Sequence, residues 1–377
     1  MKKEEKKMFY NYRNSSLFGI YIFVTRSCNL RCSHCWLGEY NETYSKHGYS
    51  ENYLKYFLIE KAINEGCHLG LRHAVITGGE PMLHPEIKKI LNLLYDNGIS
   101  FVLETNGTLL TEDAILEFVP FKDNAFFSVS LDGPNAIINS LTRRNTKVFE
   151  KTVYACKIIK RYDIPFEITM SINKNNYKYI EEMIIFCVNI GCKILKLNYI
   201  VSVGNAKKLE NDNVLLNVAE IMEIIQDYDI YREKYDITII DSMPPMFHNL
   251  KYILKYKNLK CIMPKSIGLL PNGDLGICGL GFYSNDFIYG NIEKDDLLDV
   301  LNSSSYRRTM QKLNSPYGIC KSCILFSHCK GNCVALGFYI NQSIISGNPF
   351  CEQLAKFGLF NQNYLKSLHY NHETNKR

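Results

Sequence analysis

Ten of the fourteen cysteines in this 377-residue chain fall into two groups, and this distribution constrains the fold more than any other feature. The two groups are Cys28, Cys32 and Cys35, and Cys261, Cys278, Cys320, Cys323, Cys329, Cys333 and Cys351. The N-terminus does not resemble a secretory signal, because its charged residues are not followed by an apolar segment that is free of charge: Arg13 interrupts it. The expected location is therefore the cytoplasm, where thiols stay reduced, and grouped cysteines there predict metal sites. The other four cysteines lie among apolar residues and are expected to be buried hydrophobic side chains.

Charge and hydropathy argue against two classes of partner. The formal net charge is +6, but residues 2–7 and 356–377 carry most of it, and the body between them is close to neutral. No basic face is visible, so nucleic acid is not an expected partner. No run of about 18 uncharged apolar residues exists, so a membrane partner is not expected either.

Residues 17–206 alternate between short apolar runs and helical patterns, which predicts an α/β core. The six expected strands are 21–25, 73–77, 100–104, 126–130, 166–171 and 194–198. Helical patterns separate them, including one that Pro85 opens at its first position and Gly98 ends. Such an order predicts a parallel sheet, either curled into a partial barrel or doubly wound. In both arrangements ligands bind at the carboxyl ends of the strands.

Four further segments complete the predicted organisation. Residues 1–16 form a basic N-terminal extension, and residues 207–255 form a charged helical connector. Residues 256–355 are rich in glycine, proline and cysteine, which predicts a small loop-rich domain that depends on metal for stability. Residues 356–377 form a polar C-terminal tail.

The first cysteine group follows the first predicted strand, at the edge of the sheet where ligands bind. Three thiolates on one loop can bind three irons of a four-iron cluster and leave the fourth iron open. A structural zinc ion would need a fourth ligand. His34 could provide it, but its place directly beside Cys35 makes a shared tetrahedron awkward. The loop therefore predicts a [4Fe-4S] cluster, with zinc as the alternative.

Polar residues follow four consecutive strands. They are Thr77-Gly-Gly-Glu80-Pro81, Glu104-Thr-Asn106-Gly107, Ser130-Leu-Asp-Gly-Pro134 and Ser171-Ile-Asn173. The glycine pair would let a ligand approach the backbone closely, and Glu80 could bind an ammonium group. Residues of this kind at four strand ends predict one small zwitterionic ligand.

Three of these motifs, Cys-x3-Cys-x2-Cys, Gly-Gly-Glu-Pro and Ser-Leu-Asp-Gly-Pro, resemble those of the radical S-adenosylmethionine (AdoMet) enzymes. The resemblance covers about residues 17–206 and implies a partial (β/α)6 TIM-type barrel. It also implies that the amino and carboxylate groups of AdoMet bind the open iron. His34 departs from the family, which usually has an aromatic residue there.

The resemblance assigns the AdoMet contacts as well. Gly78, Gly79 and Glu80 would hold the amino group. Ser130 and Arg143, or its neighbour Arg144, would hold the carboxylate. Ser171 and Asn173 would hold the ribose, and Asn106 belongs to the same cofactor site.

The second cysteine group resembles the SPASM domain, a seven-cysteine extension that holds two auxiliary four-iron clusters. By this resemblance Cys261, Cys278 and Cys333 bind the first auxiliary cluster, which lacks an obvious fourth thiolate. The second auxiliary cluster takes Cys320, Cys323, Cys329 and Cys351. Two structural zinc ions are the alternative.

Together the resemblances imply an enzyme that forms a 5′-deoxyadenosyl radical and abstracts hydrogen from a peptide or protein. The favoured reaction is maturation of a ribosomally made peptide, by a thioether or carbon–carbon crosslink or by epimerisation. The first alternative is an anaerobic sulfatase-maturating enzyme, where an aspartate follows the second cysteine of the extension. Gly279 stands at that position here and disfavours it. A non-catalytic zinc or iron–sulfur scaffold is the alternative from another class, and competent residues at every strand end argue against it.

The resemblance also implies protein partners. A flavodoxin or ferredoxin would supply electrons. Only 27 residues precede Cys28, too few for the winged-helix segment with which related maturases bind a leader peptide. A separate leader-peptide-binding protein is therefore expected.

Overall fold

The computed structural model describes residues 17–38, 53–255 and 265–366. The described residues form two compact units. The first comprises the described parts of Met1–Leu216, Gln226–Ser242 and Ile262–Met310, and the second those of Asn217–Ile225, Met243–Cys261 and Gln311–Arg377. The predicted extension at 1–16, Cys261 and the tail beyond 366 lie outside the described residues.

The first unit is built on a ten-stranded sheet with the order β10-β9-β8-β1-β2-β3-β4-β5-β6-β7. Its strands are β1 (Gly19–Thr25), β2 (His73–Gly78), β3 (Ser100–Thr105), β4 (Ala125–Ser130), β5 (Phe166–Ile172), β6 (Ile194–Tyr199), β7 (Thr238–Asp241), β8 (Ser266–Leu269), β9 (Asp274–Gly276) and β10 (Ile288–Asn291). Strands β1 to β7 pair in parallel, and β8 pairs in parallel with β1. Strand β9 pairs antiparallel with both β8 and β10.

Helices follow most of the parallel strands. They are α1 (Tyr56–His68), α2 (Ile87–Asp96), α3 (Glu112–Leu116), α4 (Ala136–Arg143), α5 (Lys147–Arg161), α6 (Ile180–Asn189), α7 (Ala206–Asn211), α8 (Val218–Lys234), α9 (Leu250–Lys255), α10 (Leu297–Asn302), α11 (Ser304–Leu313), α12 (Phe326–Cys329), α13 (Val334–Asn341) and α14 (Pro349–Lys356). Helix α2 buries Ile90, Leu91 and Leu94, the 3.6-residue pattern of its sequence. It begins at Ile87 rather than at Pro85, because a 3-10 turn at Pro81–Leu83 comes first. No helix among the described residues is long and apolar enough to cross a bilayer.

All six predicted strands are present as β1 to β6, and their parallel pairing with intervening helices confirms the α/β, partial-barrel class. Two expectations need correction. The segment 207–255 is not wholly helical, because it contributes β7 to the sheet. The chain from Ser266 to Asn291 contributes β8 to β10 to the same sheet, so the sheet has four strands more than expected.

The two faces of the parallel strands have different surroundings. Outward side chains pack under helices and turns, as Phe127 does against Phe118 and Tyr199 against Tyr228 on α8. The opposite side chains, which we call the inner face, are less covered. In β3 and β6 buried residues alternate strictly with partly exposed ones, and the partly exposed ones are on the inner face. The inner face of these two strands is therefore partly exposed.

Candidate active site

The cysteine loop follows β1 and is held by groups from other strand ends. The Cys28 Sγ accepts from Leu30 N at 3.4 Å and lies 3.9 Å from Asn106 Nδ2, which follows β3. The Cys32 Sγ lies 3.8 Å from Arg143 Nη1 at the end of α4. The structure thus brings two of the predicted site residues to the cysteine loop, Asn106 to Cys28 and Arg143 to Cys32.

Burial disfavours the ionised form of these three thiols. It raises the pKa of Cys28 to about 12 and that of Cys35 to about 11, and it also raises the pKa of Cys32, against the effect of Arg143. A positive metal centre would be needed to keep three such sulfurs ionised. The donor set therefore fits an iron–sulfur cluster held by this loop.

The Gly78-Gly79-Glu80 segment supports the base of the cysteine loop. Gly79 N donates to Thr25 O and Glu80 N donates to Ser27 O, both at 2.8 Å. A Cβ on Gly78 would lie 2.2 Å from Thr25 O, and one on Gly79 would lie 2.1 Å from Ser27 O. The expected reason for the glycines was the approach of a ligand, but the atoms that approach them here belong to the cysteine loop.

Glu80 is 1% exposed and fixes the loop after β3. Its Oε1 accepts from Thr105 Oγ1 at 2.7 Å and from Met82 N at 3.2 Å, and its Oε2 accepts from Asn106 N at 2.8 Å. Burial raises the pKa of Glu80 although these hydrogen bonds oppose the shift. An ammonium group beside it would favour the ionised carboxylate, which fits the predicted contact with the AdoMet amino group.

Asp132 connects the parts of the site, and the sequence interpretation did not select it. Its Oδ2 accepts from Arg143 Nε at 2.6 Å and from Thr142 Oγ1 at 2.9 Å, and its Oδ1 accepts from Ser171 N at 2.8 Å. Arg143 is buried at this carboxylate, whereas Arg144 is exposed with a left-handed backbone (φ 59°) that ends α4. Of the two arginines offered by the sequence, Arg143 is the one at the site.

Polar groups without partners lie at the ends of β4 and β5. Among the described residues, the hydroxyls of Ser130 and Ser171 have no hydrogen-bond partner, although both side chains are partly exposed. Asn173 is fully buried, and its Nδ2 likewise has no partner there. A buried amide donor without a partner costs free energy, so these residues fit a polar ligand such as a ribose.

The His34 side chain is 14% exposed, and its Nε2 lies 3.8 Å from Asp132 Oδ2. Burial lowers the pKa of His34 to about 4, despite the opposing effect of Asp132. The ring is therefore neutral near pH 7 and packs as a planar side chain. This agrees with its place in the motif, where the family usually has an aromatic residue.

The loop after β6 also contacts the cysteine loop, a contact for which the sequence carries only a weak signal. Asn205 N donates to Cys35 O at 3.0 Å, and Asn205 Nδ2 donates to Cys32 O at 3.2 Å. Gly204 has φ +57° and packs against Trp36 O. A Gly-Asn pair after a strand predicts only a turn, so this contact could not be found without the structure.

We expect Gly79→Ala to destabilise the protein and to disturb cluster binding. The new methyl group would meet Ser27 O at 2.1 Å, so the backbone before Cys28 must move. A loss of about 2 kcal/mol is reasonable for such overpacking. Thermal unfolding and iron content after anaerobic reconstitution measure the two effects, with Gly98→Ala as control, since no atom lies within 4 Å of its Cβ. Because Gly98 has φ +66°, the Gly98→Ala variant measures the effect of a strained backbone in the absence of a steric clash. Equal iron content in both variants would contradict the role of Gly79.

The second compact unit brings four predicted cluster cysteines together. Cys320, Cys323, Cys329 and Cys351 line one cavity with apolar residues that include Met246 and Phe360. Burial raises the pKa of all four thiols, that of Cys329 to about 11. Asn348 caps α14 by accepting from Cys351 N at 3.3 Å, which fixes the last of the four cysteines. The arrangement fits the predicted second auxiliary cluster.

The three cysteines predicted for the first auxiliary cluster do not all lie in one unit of the described chain. Cys261 lies outside the described residues, Cys278 begins a 3-10 turn in the first unit, and Cys333 is exposed in the second. This cluster stays a prediction. In the described part of the chain, no three or more Cys, His, Asp or Glu side chains converge as a single metal ion would require.

Comparison with known proteins agrees with this geometry. Residues 22–187 match the model of the radical SAM superfamily, and residues 261–324 match that of the SPASM iron–sulfur cluster-binding domain. The AdoMet-dependent heme synthase of Oleidesulfovibrio alaskensis is 23% identical over 340 residues, 87% of this chain and 85% of the relative. The subtilosin biosynthesis protein AlbA of Bacillus subtilis is 24% identical over 294 residues, 76% of this chain and 60% of the relative.

Solved structures share the fold. Native anSMEcpe with bound AdoMet and the Cp18Cys peptide superposes with a TM-score of 0.70 at 19% identity, covering 90% of this chain and 95% of the other. SuiB of Streptococcus suis bound to its precursor peptide SuiA gives 0.70 at 17% identity, covering 93% and 78%. At these identities the likeness concerns the fold.

Proposed function

We propose that this chain, a radical AdoMet enzyme with a SPASM domain, modifies a ribosomally made peptide by forming a thioether or carbon–carbon crosslink or by epimerising a residue. The fold is shared with enzymes whose structures contain bound peptides, and AlbA acts in the biosynthesis of a bacteriocin. These likenesses support a peptide substrate.

The residue after Cys278 supports crosslinking or epimerisation over formylglycine formation. That position is Gly279, and a Cβ there would lie 2.5 Å from the Trp36 ring. Trp36 also packs edge-to-face on Phe282 with ring centroids 5.8 Å apart, so the tryptophan fills the space beside Gly279. The aspartate base that the sulfatase-maturating enzymes carry there is absent, and its side chain would not fit.

The residues of the first unit have distinct roles in this proposal. Cys28, Cys32 and Cys35 would hold the four-iron cluster, and Glu80, Ser130, Arg143, Ser171 and Asn173 would orient AdoMet. When bound, the two groups supply the 5′-deoxyadenosyl radical that removes a hydrogen atom from substrate. The burial of Glu80, Asp132 and Asn173 keeps water from the polar groups that hold the cofactor.

The remaining expectations are part of the same proposal. A flavodoxin or ferredoxin supplies the electron, and a separate protein presents the leader peptide. The protein acts in the cytoplasm, where reducing conditions preserve its clusters.

Anaerobic turnover tests the proposal. The reconstituted enzyme receives AdoMet, dithionite and short peptides encoded next to its gene. We expect 5′-deoxyadenosine together with a peptide that has lost two hydrogen atoms, or that takes deuterium from D₂O without another mass change. Mass spectrometry after hydrolysis measures both results.

A second candidate follows from the heme synthase relatives, which match 87% of the chain. In a parallel reaction a heme precursor replaces the peptide. Formation of heme, with no change in any peptide, would replace the peptide proposal with this one.

A further inference from the structure

A layer of polar side chains crosses the inner face of the sheet below the cofactor residues. Thr77, Glu104, Ser128 and Glu167 occupy neighbouring positions on β2 to β5, where Glu104 is in register with Ser128 and Ser128 with Glu167. Ser128 precedes Ser130 by two residues on the same face, which is about 7 Å along the strand. A ligand that contacts this layer is thus next to the predicted AdoMet site.

Hydrogen bonds divide the layer into two halves. On one side Ser128 Oγ donates to Glu167 Oε1 at 2.8 Å, and Lys196 Nζ on β6 lies 3.8 Å from the same oxygen. On the other side Thr77 Oγ1 donates to Glu104 Oε2 at 2.7 Å. Glu167 therefore has a cationic neighbour within the sheet.

Glu104 has no cationic partner in the part of the chain that the structure describes. Its Oε2 accepts a hydrogen bond from the Thr77 hydroxyl and from no other described group. Its side chain is partly exposed on the inner face, between the buried residues Leu103 and Thr105. A partly buried carboxylate without a counter-ion loses hydration that a single hydroxyl does not replace. The other carboxylate oxygen, Oε1, has no partner among the described residues, and this free acceptor on the inner face points to a ligand.

We propose that Glu104 binds a positively charged group of the substrate, the side chain of a lysine or arginine in the peptide. The inference rests on the proposed peptide substrate. The partial exposure of the inner face gives the group access, and the proximity of Ser130 places the neighbouring residue of the peptide beside AdoMet. Lys196 neutralises Glu167, so Glu104 provides the net negative charge of the layer.

Affinity selection tests this inference without turnover. A peptide library displayed on its own mRNA is selected on the reconstituted enzyme with AdoMet, under anaerobic conditions. We expect at least one position of the selected peptides to be enriched in lysine or arginine. The Glu104→Gln variant should lose this enrichment, and replacing the selected lysine with norleucine should weaken binding to the wild type about tenfold, as measured by calorimetry.

The Glu117→Gln variant is the matched control, because Glu117 lies on the outside of the first unit and pairs with Lys88. It should retain the enrichment. Selected peptides without lysine or arginine, or an enrichment that persists in Glu104→Gln, would overturn the inference and leave the proposed function standing. If no peptide is selected at all, the peptide proposal fails with it.

Discussion

The Cys32→Ala variant should release no detectable 5′-deoxyadenosine from AdoMet and dithionite, a loss of more than about a thousandfold. Cys32 is 8% exposed and lies against Arg143, so its thiol is the most enclosed of the three on the loop. Without it, a second iron of the cluster would lack a protein ligand. Chromatography of the nucleosides and the iron content of the reconstituted protein measure the effect.

The Cys67→Ala variant serves as the control, since Cys67 is a partly exposed residue of α1 that belongs to neither cysteine group. It should keep full AdoMet cleavage and iron content. The same comparison separates the enzyme from the scaffold. A scaffold would bind its partner equally well with either substitution, and AdoMet cleavage by Cys32→Ala would refute the assignment of the loop.

The proximity of several first-site residues could be predicted from the sequence because these residues lie at strand ends. Parallel strands bring their carboxyl ends to one edge, so Cys28, Glu80 and Asn106 had to lie close together once the strands were recognised. The structure joins them directly, since Asn106 donates from its backbone to Glu80 and from its side chain towards Cys28. Motif spacing and strand order therefore carried most of the information.

The added strands were not predictable in the same way. Strands β7 to β10 have three or four residues each, too short for periodicity to distinguish them from loops. The pairing of β8 with β1 joins residues more than 240 positions apart, from Gly19 to Ser266. Such contacts form only in the folded chain, and the local sequence does not predict them.

The role of Asp132 could not be predicted from the motif that contains it. The Ser-Leu-Asp-Gly-Pro motif contains it, but its partners come from the end of α4, from β5 and from the cysteine loop. Only their convergence identifies it as the residue that orients Arg143. The sequence had left the choice between Arg143 and Arg144 open, and this contact settles which of them is buried.

The Asp132→Asn variant should bind AdoMet about ten to a hundred times more weakly and unfold at a lower temperature. Burial alone would raise the pKa of Asp132, but Arg143 and His34 hold it below its ordinary value. The ionised form is therefore present at neutral pH, and its stabilising effect is lost only as the pH falls through the depressed pKa. A neutral amide can still accept a hydrogen bond from Arg143 but cannot form the ion pair, and breaking a buried ion pair on one side typically costs 3–5 kcal/mol.

Calorimetry of AdoMet binding and thermal unfolding, both at pH 7, distinguish a role of Asp132 in orienting Arg143 from a role in stabilising the fold. The Asp123→Asn variant, at an exposed position of the same unit, is the control and should match the wild type in both. If Arg143 is oriented by Asp132, Asp132→Asn should lose affinity for AdoMet but retain affinity for S-adenosyl compounds that lack the carboxylate. An equal loss for both ligands would show that Asp132 only stabilises the fold, because the contact proposed for Arg143 is with the carboxylate of AdoMet.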